Sequence, residues 1–202
     1  GAYFFSGYDG DSLAFDPISG FIDSFLPFFE SHPQAILELR TKSANIDALI
    51  HAKPLENVVV AFSLTPTAIS TSLEKGVPSL ERRLDAMKQL AQQGWLLGLR
   101  FDPLIWADDF EELYRDLIEQ IFQCIPEKSV HSVSVGGLRF PKGMHQRMIK
   151  MHPDSPLFAH PLYVRDRTTA YRPEREDYMK QVVIKTLERF VPSTVIFECQ
   201  PW

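Results

Sequence analysis

Arg40, Thr41, Lys42 and Ser43 place four side chains with hydrogen-bond donors in a row, a density that suits an anionic group, a carboxylate or a phosphate. They close an apolar run, Ala35 to Leu39, interrupted only by Glu38. Such a run reads as a strand covered on both faces, the pattern of a parallel sheet dressed with helices. A strand end merely solvated by Arg and Lys is the plainer reading, and repetition weakens it. Val58 to Phe62 runs into Ser63-Leu64-Thr65, Trp95 to Leu99 into Arg100-Phe101-Asp102, and Tyr3-Phe4-Phe5 into a turn holding Asp11 and Ser12. Barrels and open α/β sheets place chemistry at the carboxyl ends of their strands, where loops vary over a rigid core. Parallel strands in register bring Asp11, Lys42, Ser63 and Arg100 to one such end, and these residues form the candidate ligand site.

The elements that must position them follow from periodicity. Helical spacing of Ile18, Phe21, Ile22, Phe25, Leu26 and Phe29 predicts a helix opened by Asp16-Pro17. A kink or break is expected at Pro27, since proline inside a helix costs about 3 kcal/mol. Ala44 to Ala52 predicts a short helix only. Ser79 caps a helix over Leu80 to Ala91 that Gly94 stops, Phe110 to Phe122 gives the strongest amphipathic pattern, and Tyr178 to Leu187 gives the last helix. Val130 to Val135 and Thr194 to Phe197 add weaker strands. The β-α alternation predicts one α/β domain over residues 1–202, with right-handed crossovers in a partial barrel or an open sheet. Crossovers of roughly 20 to 40 residues favour the TIM-like form. The polar stretch 141–173 reads as a lid or insertion within that domain.

At 202 residues and 45% hydrophobic composition the chain can bury a sizeable core. Its net charge of −5 excludes a blanket affinity for nucleic acid and leaves only a local contact. Arg165, Arg167, Arg172 and Arg175, interleaved with Tyr163, Tyr171 and Tyr178, have the composition for one, although a solvated basic loop is the commoner meaning of such a cluster. No apolar run reaches the roughly 20 residues that span a bilayer, and Gly1 to Phe5 lacks the basic flank of a signal peptide. A cytoplasmic protein without a membrane partner is therefore expected. Cys124 and Cys199 lie far apart, and His131, His145, His152 and His160 lack mutual ligand spacing, so no metal site is expected. Glu74 and Arg82 read as an ion pair bracing the loop before a helix. The chain opens on Gly1, without an initiator methionine and directly on a strand, which suggests a chain cut from something longer or trimmed for expression.

The strand ends taken together, Gly10 to Ala14, Glu38 to Ser43, Phe62 to Pro66, Glu74 with Arg82, and Gly98 to Pro103, resemble in order the spore photoproduct lyase family of radical S-adenosylmethionine enzymes. The resemblance runs from about Ser6 to about Gly137, and more faintly to Phe197-Glu198-Cys199. It implies a partial parallel (β/α) barrel of about six strands, TIM-like and missing its first β/α unit, from the C-terminal portion of a DNA-repair-type lyase. It implies that Lys42 and Ser63 hold S-adenosylmethionine, whose methionyl carboxylate wants a cation and a hydroxyl, with Asp11 and Arg100 beside them. Thr65 stands where the family places an Asn that meets the ribose hydroxyls. Arg165, Arg167, Arg172 and Arg175 become substrate contacts, with DNA as the partner.

The family's Cys-x3-Cys-x2-Cys loop is absent from this chain. The [4Fe–4S] cluster would then belong to the parent, and the chain alone would be inactive without the segment that binds it. The family's hydrogen-donating cysteine falls at Tyr8 or Asp9, which speaks against authentic thymine-dimer chemistry. The strand at Tyr3 to Phe5 should lie at a sheet edge. Two other readings stay open: a TIM-like enzyme that binds a phosphorylated small molecule through Gly136-Gly137 and Lys42, and a non-catalytic α/β scaffold. A three-cysteine loop upstream of Gly1 would separate the first reading from these two.

Overall fold

Residues with special backbone demands set most of the element boundaries in the computed structural model, which describes residues 1–7, 10–141 and 143–199. Strand β1 (Tyr3–Ser6) leads into a loop; Tyr8 and Asp9, where the family's cysteine would fall, lie outside the described residues. The first helix is two. Gly20, at φ 58, separates α1 (Asp16–Ser19) from α2 (Phe21–Ser31), and the chain stays helical through Pro27 instead of breaking there. Left-handed backbone at Gly20 ends one helix, and Asp16 Oδ1 accepts the Ile22 N–H at 2.8 Å to start the next.

Strand β2 (Ile36–Thr41), helix α3 (Asp47–His51) and strand β3 (Val58–Ser63) follow as expected. Helix α4 (Thr67–Leu73) occupies part of a stretch that reads as loop in the sequence. Helix α5 (Leu80–Gln93) opens on Ser79, whose Oγ accepts the Arg82 N–H, and closes on Gly94 at φ 101, whose N–H reaches the Leu90 and Ala91 carbonyls. Strand β4 (Leu96–Leu104) runs five residues past the expected end at Leu99, so Arg100 sits inside it. Then come α6 (Phe110–Cys124), β5 (Val130–Gly137), β6 (Arg139–Pro141), α7 (Met144–Met151), β7 (Tyr163–Arg165), β8 (Thr168–Ala170), α8 (Pro173–Leu187) and β9 (Ile196–Glu198).

Six strands form one sheet in the order β1-β2-β3-β4-β5-β9, with parallel pairing of β1 to β2, β2 to β3 and β3 to β4. This is the expected partial, TIM-like parallel barrel, and β1 is its edge strand. A second, antiparallel sheet, β6-β8-β7, draws two of its strands from the polar stretch 141–173. By internal contacts the chain divides into two compact units, residues 1–64, 77–100 and 119–133 in one and 65–76, 101–118 and 134–202 in the other.

In the first unit the sheet has two unlike faces. Leu37, Leu39, Val58, Val60, Phe62, Leu97 and Leu99 are all at 3% exposure or less and form the apolar core together with Leu49, Leu84, Met87 and Leu90. The Trp95 indole is buried with them, its N–H donated to the Leu49 carbonyl at 3.3 Å. Side chains alternate across a strand, so the opposite face carries Tyr3, Glu38, Arg40, Ala61, Ser63, Gly98 and Arg100. In a (β/α) barrel this is the lumen side.

Candidate functional site

Pairing register arranges the lumen side in rows. Glu38 stands beside Val59 and Leu96, and Arg40 beside Ala61 and Gly98. The β2–β3 pairing ends at Thr41–Phe62, Ser63 pairs with Arg100 of β4, and Lys42 follows Thr41 just outside the strand. Lys42, just past the end of β2, and Ser63, the last residue of β3, are both partly open to solvent.

Asp11 fixes this corner. Its Oδ1 accepts from the Thr41 hydroxyl at 2.6 Å and from the Leu13 and Ala14 N–H groups at 3.0 and 2.9 Å, and its Oδ2 accepts from the Lys42 N–H at 2.7 Å. The carboxylate ties the loop after β1 to the end of β2 and sets the backbone from which the Lys42 side chain departs. Ser12 N–H to the Arg40 carbonyl, at 3.0 Å, closes the same loop.

Arg100 is placed differently from Lys42. Its guanidinium leans back over Gly98, where a Cβ would stand 2.7 Å from Nη2 and 2.9 Å from the Ala61 Cβ, so only glycine fits. It reaches Glu38 through Nε–Oε1 at 3.0 Å and Nη2–Oε2 at 2.7 Å, and donates to the Ser132 hydroxyl and carbonyl at 2.9 and 3.1 Å. Both members are about 1% exposed. The Tyr3 hydroxyl adds a bond to Glu38 Oε2 at 2.9 Å. Burial pushes the Glu38 carboxyl up, but Arg100, Tyr3 and Arg40 outweigh it and hold the group below the ordinary carboxylate range. Burial and the Glu38 charge push the Tyr3 phenol up to about 12. Burial, then Arg100, lowers His131, whose Nδ1 lies 3.1 Å from the Ser132 hydroxyl. This network was legible in one respect: Glu38 is the single charge in an apolar strand.

Arg83, which sequence reasoning passed over, is wholly buried and donates Nη1 to the Ser63 carbonyl at 2.9 Å. Its neighbour Arg82, the expected partner of Glu74, is exposed and contributes its backbone N–H to the helix cap. Arg83 falls on the apolar face of α5 with Leu80, Leu84 and Met87, which is the available signal for it. In the second unit, Thr65 is buried and its hydroxyl lies 3.3 Å from Glu74 Oε1, while Ser70 Oγ donates to Glu74 Oε2 at 2.6 Å.

The Gly136-Gly137 pair is occupied on its open sides. A Cβ on Gly136 would meet Asp102 Oδ1, the Cys199 Cβ and Arg139 Nη1 at 2.9 to 3.0 Å, and one on Gly137 would meet Glu176 Cγ at 2.8 Å. A phosphate there would face the carboxylates of Asp102 and Glu176. Burial and Asp102 push the Cys199 thiol up to about 11, opposite to the direction a reactive or metal-binding thiol needs. Among the described residues no group of three or more His, Cys, Asp or Glu is placed to hold a metal ion, and no helix is long and apolar enough to cross a membrane.

The four arginines of the basic cluster separate into two pairs. Arg165 binds Glu176 Oε2 at 2.6 Å and the Tyr171 carbonyl at 3.2 Å, and lines a cavity of about 520 Å³ with Arg167, Arg139 and Thr168. Arg172 lies over the Tyr163 ring at 4.4 Å and Arg175 over Trp106 at 4.7 Å, beside a second cavity of about 440 Å³. Of the interleaved tyrosines, Tyr171 is core, its hydroxyl accepting the Trp106 N–H at 3.1 Å.

A parallel partial barrel belongs to a class of proteins that hold ligands at the carboxyl ends of their strands. Within that class the chain belongs to the spore photoproduct lyase family, whose model, described as Spore photoproduct lyase, matches residues 3–196. These are radical S-adenosylmethionine enzymes of DNA repair. The chain is 24% identical over 149 residues to spore photoproduct lyase of Bacillus subtilis (strain 168) and 18% identical over 147 residues to that of Clostridium acetobutylicum, covering 73% of this chain and 44% of the relative in each case. It thus spans less than half the length of these curated relatives. Among solved structures, a spore photoproduct lyase mutant with bound AdoMet and dinucleoside spore photoproduct superposes with a TM-score of 0.84 at 18% identity, over 97% of this chain and 60% of that one. A spore photoproduct lyase complexed with dinucleoside spore photoproduct gives 0.82 over the same shares. At this identity the likeness establishes the fold.

Proposed function

We propose that this chain supplies the S-adenosylmethionine and substrate contacts of a radical S-adenosylmethionine lyase of the DNA-repair type. The observation that carries the reading is the Asp11 carboxylate's hold on the Lys42 N–H at 2.7 Å, which fixes Lys42 just past the end of β2, beside the strand that ends in Ser63. The Lys42 ammonium and the Ser63 hydroxyl suit the methionyl carboxylate, a charge-assisted contact at a strand end. Bound S-adenosylmethionine supplies the radical-initiating group. Asp11 and Arg100 act behind these contacts, Asp11 by fixing the Lys42 backbone and Arg100 by bracing the lumen wall through Glu38. Thr65, turned to Glu74, stands at the ribose position with a shorter reach than the family's Asn. Arg165, Arg167, Arg172 and Arg175 are the substrate contacts, and a DNA lesion strand is the substrate class, by analogy with the solved neighbours' dinucleoside ligand.

The chain's own thiols do not fit a [4Fe–4S] cluster. It holds two cysteines, and the Cys199 thiol is held protonated, so a three-cysteine loop from outside these residues would carry the cluster. The test is calorimetric titration of S-adenosylmethionine into the protein together with that loop. Lys42→Ala, with an unchanged melting temperature, is expected to raise Kd about tenfold or more, since a hydrogen bond to a charged group is worth roughly 1.5–3 kcal/mol. Wild-type affinity in the variant removes Lys42 from the site.

A further inference from the structure

Two cation–ring pairs border one cavity in the second unit. Arg172 lies over the Tyr163 ring at 4.4 Å and Arg175 over the Trp106 ring at 4.7 Å. The cavity beside them, of about 440 Å³, is lined by Pro161, Tyr163, Arg172, Glu174 and Arg175. Arg165, two residues along the strand from Tyr163, is neutralised by Glu176 at 2.6 Å. Among the described residues neither Arg172 nor Arg175 has such a carboxylate partner, although Glu174 lines the same cavity. An arginine over a ring is by itself an ordinary surface contact. Two of them at one cavity, with a carboxylate left open between them in the chain, offer flat faces together with donors and an acceptor.

Much of this wall is fixed by the fold. The Ile105 and Trp106 N–H groups are held by the buried Tyr114 and Tyr171 hydroxyls at 2.9 and 3.1 Å, and the indole stacks on Phe110 at 5.6 Å with 12° between the planes. Arg175 is thus a half-buried guanidinium on a fixed aromatic backing. Arg172, Glu174 and Arg175 all leave the start of one helix, α8. Nucleobases stack on aromatic rings and on arginine planes alike, and their edges carry N–H donors that a carboxylate accepts. A phosphate alone fits less well, because Glu174 opposes it and the Tyr163 ring gives it nothing. A paired base has its hydrogen-bonding edge already in use. We infer that this cavity binds one unpaired nucleobase of a nucleic-acid strand, stacked against the Arg175–Trp106 and Arg172–Tyr163 pairs, with Glu174 accepting from its edge. The inference rests on the proposed function and deepens it, since the DNA strand is then held by a base as well as by its phosphates, through residues other than those of the Lys42 corner.

The probes are a short single-stranded deoxyoligonucleotide, the same strand with abasic sugars throughout, and the duplex of the first. They are titrated calorimetrically without S-adenosylmethionine or a cluster, so that a failure of the cofactor reading leaves this measurement intact and the reverse. The intact single strand is expected to bind about tenfold or more tightly than the abasic strand, and more tightly than the duplex. Arg175→Ala should remove most of that advantage. Arg175→Lys, which keeps the charge and loses the flat face, should do nearly the same while leaving the salt dependence unchanged. Glu174→Ala should weaken the intact strand relative to the abasic one. Melting temperatures check that each variant folds, and Arg172→Ala takes the place of Arg175→Ala if that variant does not. Equal binding of intact and abasic strands, a preference for the duplex, or wild-type affinity in Arg175→Lys would each overturn the inference. So would a Glu174→Ala variant that binds both strands alike more tightly, which is the mark of a phosphate site.

Discussion

Asp11, Lys42 and Arg100 share a neighbourhood in the sequence reading and separate by role in the structure. Asp11 directs both oxygens to the protein itself, Arg100 turns inward to Glu38, and Lys42 lies just past the end of β2 with its backbone N–H held by Asp11. The same sorting applies to the basic cluster. Arg165 is engaged by Glu176, whereas Arg172 and Arg175 lie on aromatic faces with their edges available. If the substrate is nucleic acid, the double variant Arg167→Ala, Arg172→Ala should weaken binding whatever the sequence. It should also flatten the dependence of log K on log salt by about two counterions' worth, near 1.4 for a single strand. Equal salt slopes for variant and wild type would return the cluster to an ordinary solvated loop.

At the scale of elements, strands β1, β2, β4 and β5 are joined by one polar chain, Tyr3–Glu38–Arg100–Ser132, whose central ion pair is buried. Removing one member of a buried ion pair leaves an uncompensated charge and typically costs about 3–5 kcal/mol, whereas replacing both with apolar groups is often neutral. Arg100→Met should therefore lower denaturant stability by roughly that amount, and Glu38→Leu with Arg100→Met should recover most of it. The pH dependence fixes the sign. Glu38 is held below its ordinary value of 4.5 in the fold, so its stabilisation is complete above that value and is lost as pH falls below it. The double variant should lose this part of the acid limb. An unchanged acid limb, or a single variant as stable as wild type, would show that the pair is not what holds these strands.

For the whole molecule, the exposed face at β1 sets the expected behaviour. Tyr3, Phe4 and Phe5 are 39%, 47% and 59% exposed, with Phe25 and Phe28 of α2 nearly as open, and β1 ends its sheet. An edge with large apolar side chains is a template for further pairing. Sedimentation velocity on the isolated 202-residue chain should show self-association that grows with concentration and is suppressed by Phe5→Lys. A monomer throughout the micromolar range would refute the idea that this edge seeks a partner.

The apolar runs Ala35 to Leu39, Val58 to Phe62 and Trp95 to Leu99 by themselves marked the strands of a parallel α/β sheet, in a partial barrel or an open sheet, because burial on both faces leaves a local signature that no distant contact is needed to read. The caps at Ser79 and Gly94 were equally local, and the family resemblance rested on strand ends that are contiguous in sequence. Other features needed the fold. The helix break passed from Pro27 to Gly20 because the Asp16 carboxylate comes round to cap Ile22, and β4 ran on past Arg100 to Leu104. Whether Arg100 faces a ligand or Glu38 is decided by a contact across 62 positions of sequence, through the space Gly98 leaves open. Long-range electrostatics of this kind has no signature in spacing. The candidate site was therefore legible as a set of strand ends, while the protein partners of Asp11 and Arg100 came only from tertiary structure.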